Sequence, residues 1–227
     1  MKESTGHMFP DIYTTNHISG LGPCFFSCPY CSKMRYTEEI RKHLLNQQAL
    51  KENLGSSKRI FVASGSDIAA PNITDEEILT VFDHIHSYPG NEYMIQSKSP
   101  GRLTQPQFMN HPVWQHSLLG TTIETNLNLG KKYMGKAPCV QERAAALSKY
   151  KAAGIKTYVS LEPLMQFELY GLVELVKSFR PEFAYIGRDS LRRVHLPEPY
   201  RYEVVDLAKE LQCFTTVIIK DNAECWK

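Results

Sequence analysis

The chain has 227 residues, enough to bury a substantial core as one large or two small domains. Its 42% hydrophobic and 22% charged residues exclude a disordered chain, and 26 basic against 24 acidic residues exclude a broad basic field, so any nucleic-acid contact must come from a local patch. No apolar run reaches the length of a membrane span, MKESTGHMFPDIY carries no apolar signal core, and six cysteines are too sparse for a disulfide scaffold; the expectation is a reduced, cytoplasmic chain with no membrane partner.

In chain order, Ile12 to Ile18 is expected as a first strand, and a helix is expected from about Thr37 to Asn53. Arg59 to Ser64 (RIFVAS) has the β-branched, apolar character of a buried strand. Thr74 to Ser87 then carries helix-start signals: Thr74 and Glu77 make a T-x-x-E capping box, and Ile73 and Ile78 can staple it. Ile78, Val81, Phe82 and Ile85 form the stripe of a helix packed on a sheet. Strands follow at Tyr93 to Gln96 and Ser117 to Ile123, and a helix from about Val140 to Ala153 stops at Gly154. Ile155 to Leu161 is a strand, Leu169 to Phe179 a helix halted by Arg180-Pro181, and Phe183 to Ile186 a strand. A helix over Pro199 to Leu211 and a strand over Phe214 to Ile219 complete the pattern.

Seven strands thus alternate with about six helices, which argues for βαβ units and a parallel α/β sheet. No glycine- or serine-rich linker divides the chain, so residues 1–227 read as one domain. Its sheet is an open doubly wound one or a partial (β/α) barrel. Almost every strand ends in polar groups: Ser64-Gly65-Ser66-Asp67, Gln96-Ser97-Lys98, Thr121-Thr122 with Glu124, Ser160 with Glu162, Gly187-Arg188-Asp189-Ser190, and Lys220-Asp221-Asn222. Helix capping explains any one of these loops; the full set marks a binding mouth at the carboxyl ends of the strands.

Residues 22–33, GPCFFSCPYCSK, bring three cysteines into eight positions. Cys28-Pro29-Tyr30-Cys31 alone is a C-x-x-C dithiol, locally similar to the glutaredoxin CPYC, but Cys24 then has no use. Zinc needs a fourth ligand, for which His17 or His7 are available, yet no second cysteine pair exists; Cys139, Cys213 and Cys225 are scattered. Three closely spaced thiolates suit an iron–sulfur cubane whose fourth iron takes an external ligand.

The spacing C-x3-C-x2-C, with the aromatic Tyr30 before the last cysteine, resembles the defining motif of the radical S-adenosylmethionine (radical SAM) superfamily. The segments HMFP, IFVASGSDI, MIQSKSPGR, LLGTTIETN, VSLEPL, AYIGRDS and VIIKDN are similar, in the same order, to those of small radical SAM proteins of phages and bacteria that are distantly like spore photoproduct lyase. The resemblance implies a partial (β/α) barrel of about six to seven parallel strands. It implies a four-iron, four-sulfur (4Fe-4S) cluster on Cys24, Cys28 and Cys31, with S-adenosylmethionine on the unique iron, and a reductant such as flavodoxin or ferredoxin. Reductive cleavage then gives a 5′-deoxyadenosyl radical that abstracts hydrogen from a substrate. Phe25 and Phe26 are placed to shield the cluster.

By the same resemblance Tyr30 lies near the adenine, and Ser64, Gly65, Ser66 and Asp67 stand where the family has a Gly-Gly-Glu motif for the methionine amino group. Ser97, Lys98, Thr122 and Glu124 are expected at the ribose and carboxylate. Glu162, Arg188, Asp189 and Lys220 are expected to face substrate. RIFVASGSD lacks the cysteine through which spore photoproduct lyase relays hydrogen, which argues against photoproduct repair by that route. A nucleic acid or nucleotide is the favoured substrate, with Lys131-Lys132, Arg188, Arg192-Arg193 and His195 available to phosphate. A small metabolite or peptide, or a zinc-binding or thiol redox protein, are the alternatives.

Overall fold

The computed structural model describes residues 2–3, 12–20, 24–31, 43–129, 131–192 and 194–226. One sheet holds eight strands: β1 (Lys2–Glu3), β2 (Tyr13–Thr14), β5 (Arg59–Val62), β6 (Glu92–Gln96), β7 (Ser117–Thr122), β8 (Thr157–Leu161), β9 (Phe183–Ile186) and β10 (Thr216–Ile219), adjacent in that order. The seven from β2 to β10 are parallel and form a half-barrel; β1 caps one edge in antiparallel fashion. Between β2 and β5, β3 (Ile18–Gly20) and β4 (His43–Leu45) make a separate antiparallel ribbon. The helices α1 (Asp75–His86), α2 (Pro106–Met109), α3 (Lys131–Met134), α4 (Val140–Ala152), α5 (Leu169–Lys177) and α6 (Arg201–Gln212) fill the crossovers.

Sequence periodicity explains most of this. Thr74 caps α1 by accepting from the Glu77 amide, Glu77 returns the bond to the Thr74 amide, and Ile78, Val81, Phe82 and Ile85 are all buried. Along the strands the period is two. Phe61, Met94, Leu118, Tyr158, Phe183 and Tyr185 form one buried cluster on the inner, concave face. Ile60, Val62, Tyr93, Ile95, Leu119, Val159 and Ile186, at the alternate positions, pack outward in the core shared with the helices. Burial on both faces is why these strands read as continuous apolar runs rather than alternating ones.

Two expectations need correction. The first strand is split: only Tyr13–Thr14 joins the half-barrel, and the chain then leaves to pair Ile18 with Leu45 in the ribbon. The helix expected over 37–53 is absent from its described part. Residues 43–45 spend their backbone hydrogen bonds on β3, and the Asn46 side chain accepts from the Gln48 and Ala49 amides, making a turn followed only by a short 3-10 helix at Ala49–Lys51. Residues 32–42 and the HMFP segment lie outside the described residues.

Gly120, in the middle of β7, is required by packing. A Cβ there would sit 2.2 Å from the Tyr158 ring, which lies across it on the inner face. Gly120→Ala is therefore expected to destabilise the fold by about 1–3 kcal/mol in urea denaturation. Gly101→Ala, where nothing lies within 4 Å and the backbone is already helical, should be neutral or slightly stabilising.

Candidate functional site

The inner-face stripe leads directly to a site. Continuing the period of two beyond the apolar cluster gives Ala63 after Phe61, Gln96 and Lys98 after Met94, and Thr122 and Glu124 after Leu118 and Gly120. Phe61, Ala63, Gln96, Lys98 and Thr122 line one cavity at the carboxyl ends of the strands. The cysteine loop closes its other side with Cys24, Phe26, Ser27, Cys28 and Cys31, and Ser64, Ser66 and Asp67 complete it.

The cysteine loop is wound by two backbone bonds, from Ser27 N to Cys24 O (2.9 Å) and from Cys31 N to Cys28 O (2.9 Å), with Ser27 at a positive φ of 50°. The segment after α3 holds it from behind: Lys136 N donates to Phe26 O at 2.7 Å, and the Cys28 thiol points to Met134 O at 3.6 Å. Gly135 permits this approach, since its φ is +62° and a Cβ would fall 2.2 Å from Phe26 O. All three cysteines are free thiols. Burial, with the nearby Asp67 carboxyl, pushes Cys24 up to about 12, and burial also raises Cys28. Among the described residues, no group of three or more His, Cys, Asp or Glu is placed to hold a metal ion.

Behind the cavity wall lies a buried charge network. Glu124 and Arg143 are fully buried; Arg143 Nη1 donates to Glu124 Oε2 at 2.8 Å and to Thr122 O at 2.8 Å, and its Nε donates to Pro138 O at 2.8 Å. Lys98 Nζ donates to Glu124 Oε1 at 2.5 Å and to Tyr30 Oη at 2.5 Å, and the Tyr30 hydroxyl donates to Glu124. Burial alone would raise the Glu124 carboxyl, but Lys98 and Arg143 prevail and hold it at about 2. Asp67 serves similarly in the SGSD loop: it accepts from Ser97 Oγ at 2.6 Å, Lys98 N at 2.7 Å and Ala69 N at 3.0 Å, fixing that loop to the end of β6. Gly65 makes room for Asn16, whose Oδ1 would be 2.0 Å from a Cβ, and the Ser64 hydroxyl donates to Thr15 O at 3.2 Å.

Of the residues expected at the site, Cys24, Cys28, Cys31, Ser64, Ser66, Asp67, Lys98 and Thr122 come together around the cavity. Tyr30, Gly65, Ser97 and Glu124 stand off its lining, and Tyr30 and Glu124 bond each other in the wall. Glu162, Arg188, Asp189 and Lys220 belong to a second group at the same end of the sheet. Lys220, almost fully buried, pairs with Glu162; Asn222 Nδ2 donates to Glu162 Oε1 at 2.7 Å, and Arg188 pairs with Glu198. Neither His17 nitrogen is free for a metal, being 2.9 Å from Thr15 Oγ1 and 2.9 Å from His84 Nδ1.

One residue of the site escapes sequence reasoning, and another is read only as part of a polar strand end. Arg143 reads as one more polar residue of α4, and only its complete burial reveals it. Gln96 ends β6 on the inner face; its Oε1 and the Ser66 hydroxyl are buried polar atoms on the cavity with no partner among the described residues.

The wall makes a pH prediction. Glu124 ionises at about 2 in the folded chain against 4.5 ordinarily, so the stability it contributes is complete above about pH 4.5 and is lost as the pH falls toward 2. Glu124→Gln leaves Arg143 buried without its counter-charge; it should cost about 3–5 kcal/mol at pH 7 and flatten the acid side of the stability profile measured by denaturant titration.

The family described as "Protein of unknown function (DUF5131)" matches residues 26–176. No curated protein matches the sequence. A spore photoproduct lyase variant superposes with a TM-score of 0.64 at 13% identity, covering 91% of this chain and 76% of that one. Streptococcus suis SuiB bound to S-adenosylmethionine gives 0.61 at 10% identity over 93% of this chain, which spans half the length of that protein. Another spore photoproduct lyase variant, with bound AdoMet and dinucleoside spore photoproduct, gives 0.52 at 13% identity, covering 92% of this chain and 65% of that one. The fold is thus the partial barrel of radical SAM enzymes. No helix among the described residues is long and apolar enough to cross a membrane.

Proposed function

The chain belongs to the DUF5131 family, and we propose that it is a radical SAM enzyme whose core domain spans residues 1–227, acting in the cytoplasm on a nucleic acid or nucleotide. The observation that carries this reading is the shared cavity. Cys24, Cys28 and Cys31 face the same space as Ser66 and Gln96, which bring buried polar atoms without partners among the described residues, on a fold whose relatives bind S-adenosylmethionine.

The donor set fits a 4Fe-4S cluster. A cubane takes one thiolate on each of three irons, so its cysteines surround a space rather than converge on a point. Raised thiols argue against the dithiol alternative, because an exchange cysteine needs a lowered pKa, whereas Cys28, first of the C-x-x-C pair, is pushed up. Iron supplies the positive charge that lets such buried thiols ionise. Zinc loses its described histidine candidate, His17, to Thr15 and His84.

Cys24, Cys28 and Cys31 would hold the cluster, which, reduced by a partner such as flavodoxin or ferredoxin, would supply the electron for reductive cleavage of S-adenosylmethionine to a 5′-deoxyadenosyl radical. The chain's residues do the rest. Ser66 and Gln96 offer hydrogen bonds to the polar methionine and ribose groups, and Asp67 holds their loop in register. Phe26 and Phe61 exclude water on the apolar side of the cavity. Lys98 sits where its ammonium serves both Glu124 and a carboxylate brought into the cavity. Glu162, Lys220, Arg188 and Asp189 stand toward the substrate. A dinucleoside bound to one structural relative supports the substrate class.

Anaerobic iron–sulfur reconstitution, dithionite reduction and assay for 5′-deoxyadenosine test this reading. The expected result is a brown chromophore and 5′-deoxyadenosine from the intact chain, both lost in Cys28→Ala. A colourless protein, or equal product from both chains, would sink it. Ser66→Ala should weaken S-adenosylmethionine binding by about 3- to 10-fold in equilibrium dialysis, the cost of about one hydrogen bond.

A further inference from the structure

Among the described residues, four large hydrophobic side chains are exposed: Leu127, Tyr170, Tyr200 and Tyr202. They lie on three successive connections, those following β7, β8 and β9. A helix that follows a parallel strand begins at that strand's carboxyl end, so the starts of α5 and α6 both border the mouth of the half-barrel. Tyr170 is the second residue of α5, and Tyr200 and Tyr202 flank the first residue of α6, which packs beside α5. Leu127 joins Tyr170 through a clasp: Asn126 Nδ2 donates to Glu168 O at 2.9 Å, and Glu168 N donates to Asn126 Oδ1 at 2.9 Å.

The Tyr200 and Tyr202 rings are parallel to within 8°, with centroids 5.7 Å apart, and each residue is 64% exposed. The segment before them carries exposed Arg192 and His195. Of its acids, Glu198 pairs with Arg188 and Asp189 is buried, and on α6 Glu203 accepts from the Tyr200 amide at 2.7 Å. That segment encloses a cleft of about 530 Å³, lined by Gln166, Asp189, Arg192, His195 and the Arg188–Glu198 pair among others. Asp189 Oδ1 accepts from the Leu191 amide at 3.0 Å, while its buried Oδ2 has no partner among the described residues.

We propose that this face is a landing platform for single-stranded nucleic acid, with unpaired bases stacked on Tyr200 and Tyr202, phosphates at Arg192 and His195, and one base edge donating to Asp189 in the cleft. The proposal rests on the nucleic-acid reading above and names the residues that would deliver the strand to the mouth. Flat aromatic faces with exposed Arg192 and His195 a few residues before them match the alternation of base and phosphate along a strand. An apolar protein partner would cover the tyrosines but leave Arg192 desolvated without counter-charge. A duplex hides its base faces, so the platform selects strands that are open.

Fluorescence anisotropy of labelled oligonucleotides of about 12 nucleotides, added to the full chain, tests the surface. Single strands of DNA or RNA should bind more tightly than the matching duplex. Replacing both tyrosines together (Tyr200→Ala with Tyr202→Ala) should weaken binding roughly tenfold or more, while Tyr200→Phe with Tyr202→Phe, which keeps the rings, should stay within about twofold. Arg192→Ala should reduce the dependence of log affinity on log salt by about 0.7. Failure of both DNA and RNA strands to bind, equal affinity for duplex, or an unchanged alanine double variant would overturn the proposal. Assay of 5′-deoxyadenosine from the reconstituted wild-type chain without any strand separates the two readings. Cleavage without strand binding overturns the platform and leaves the radical chemistry standing, whereas tyrosine-dependent binding without cleavage does the reverse.

Discussion

The buried Glu124 carboxylate is the constraint from which the site is built. A charge taken out of water is costly unless it is paired and fully hydrogen-bonded, and Glu124 meets that demand with a lysine, an arginine and a tyrosine from three separate parts of the chain. Lys98 comes from the end of β6, Arg143 from α4 and Tyr30 from the cysteine loop. Satisfying one carboxylate therefore fixes two strand ends, a helix and a loop against one another. The cysteine loop, whose Phe26 and Tyr30 already pack in the core, gains through this network a defined position beside the sheet.

A second layer of the same logic sits one loop nearer the ligand. Asp67 spends its oxygens on the Ser97 hydroxyl and the backbone of Lys98 and Ala69, so the Ser-Gly-Ser-Asp loop is held by its own acid. That leaves Ser66 and Gln96 as the groups with hydrogen-bonding capacity to give. The charged side chains, Asp67 and Lys98 on the cavity included, are thus bonded into the wall, while neutral Ser66 and Gln96 keep unpartnered atoms. Preorganisation explains the division: a strong charge fixed in the wall can hold geometry, whereas a neutral hydroxyl or amide can greet a ligand without a large desolvation cost.

The mouth divides the labour again. The cysteine side is concave and apolar, closed by Phe26 and Phe61, while the side beyond β8 to β10 carries paired charges and exposed tyrosines. A partial barrel allows this asymmetry because its strands share one interior face but send their connecting loops to different sectors of the rim. Cofactor chemistry and substrate delivery can then occupy adjacent sectors of one small fold.

Local order was legible in the sequence because it depends on local periodicity. The capping box at Thr74, the continuous apolar runs of the strands and the halts at Gly154 and Pro181 each act within a few residues, and the C-x3-C-x2-C loop declared its three thiols by spacing alone. The helix expected over 37–53 failed in its described part because a partner strand, His43–Leu45 on Ile18–Gly20, overrode its pattern. Arg143 was invisible for the same kind of reason: nothing near it in the chain demands an arginine, and its partner Glu124 lies 19 residues away. Tyr30 and Glu124, 94 residues apart, show the limit most clearly. Residue patterns alone carried most of the elements, their βαβ alternation and the cysteine spacing, since these follow from short-range sterics and burial, but they left the sheet open between a doubly wound one and a partial barrel. Which polar groups are consumed in holding the wall, and which keep unpartnered atoms on the cavity, emerged from the folded chain, because it depends on which distant partners the fold brings to each buried charge.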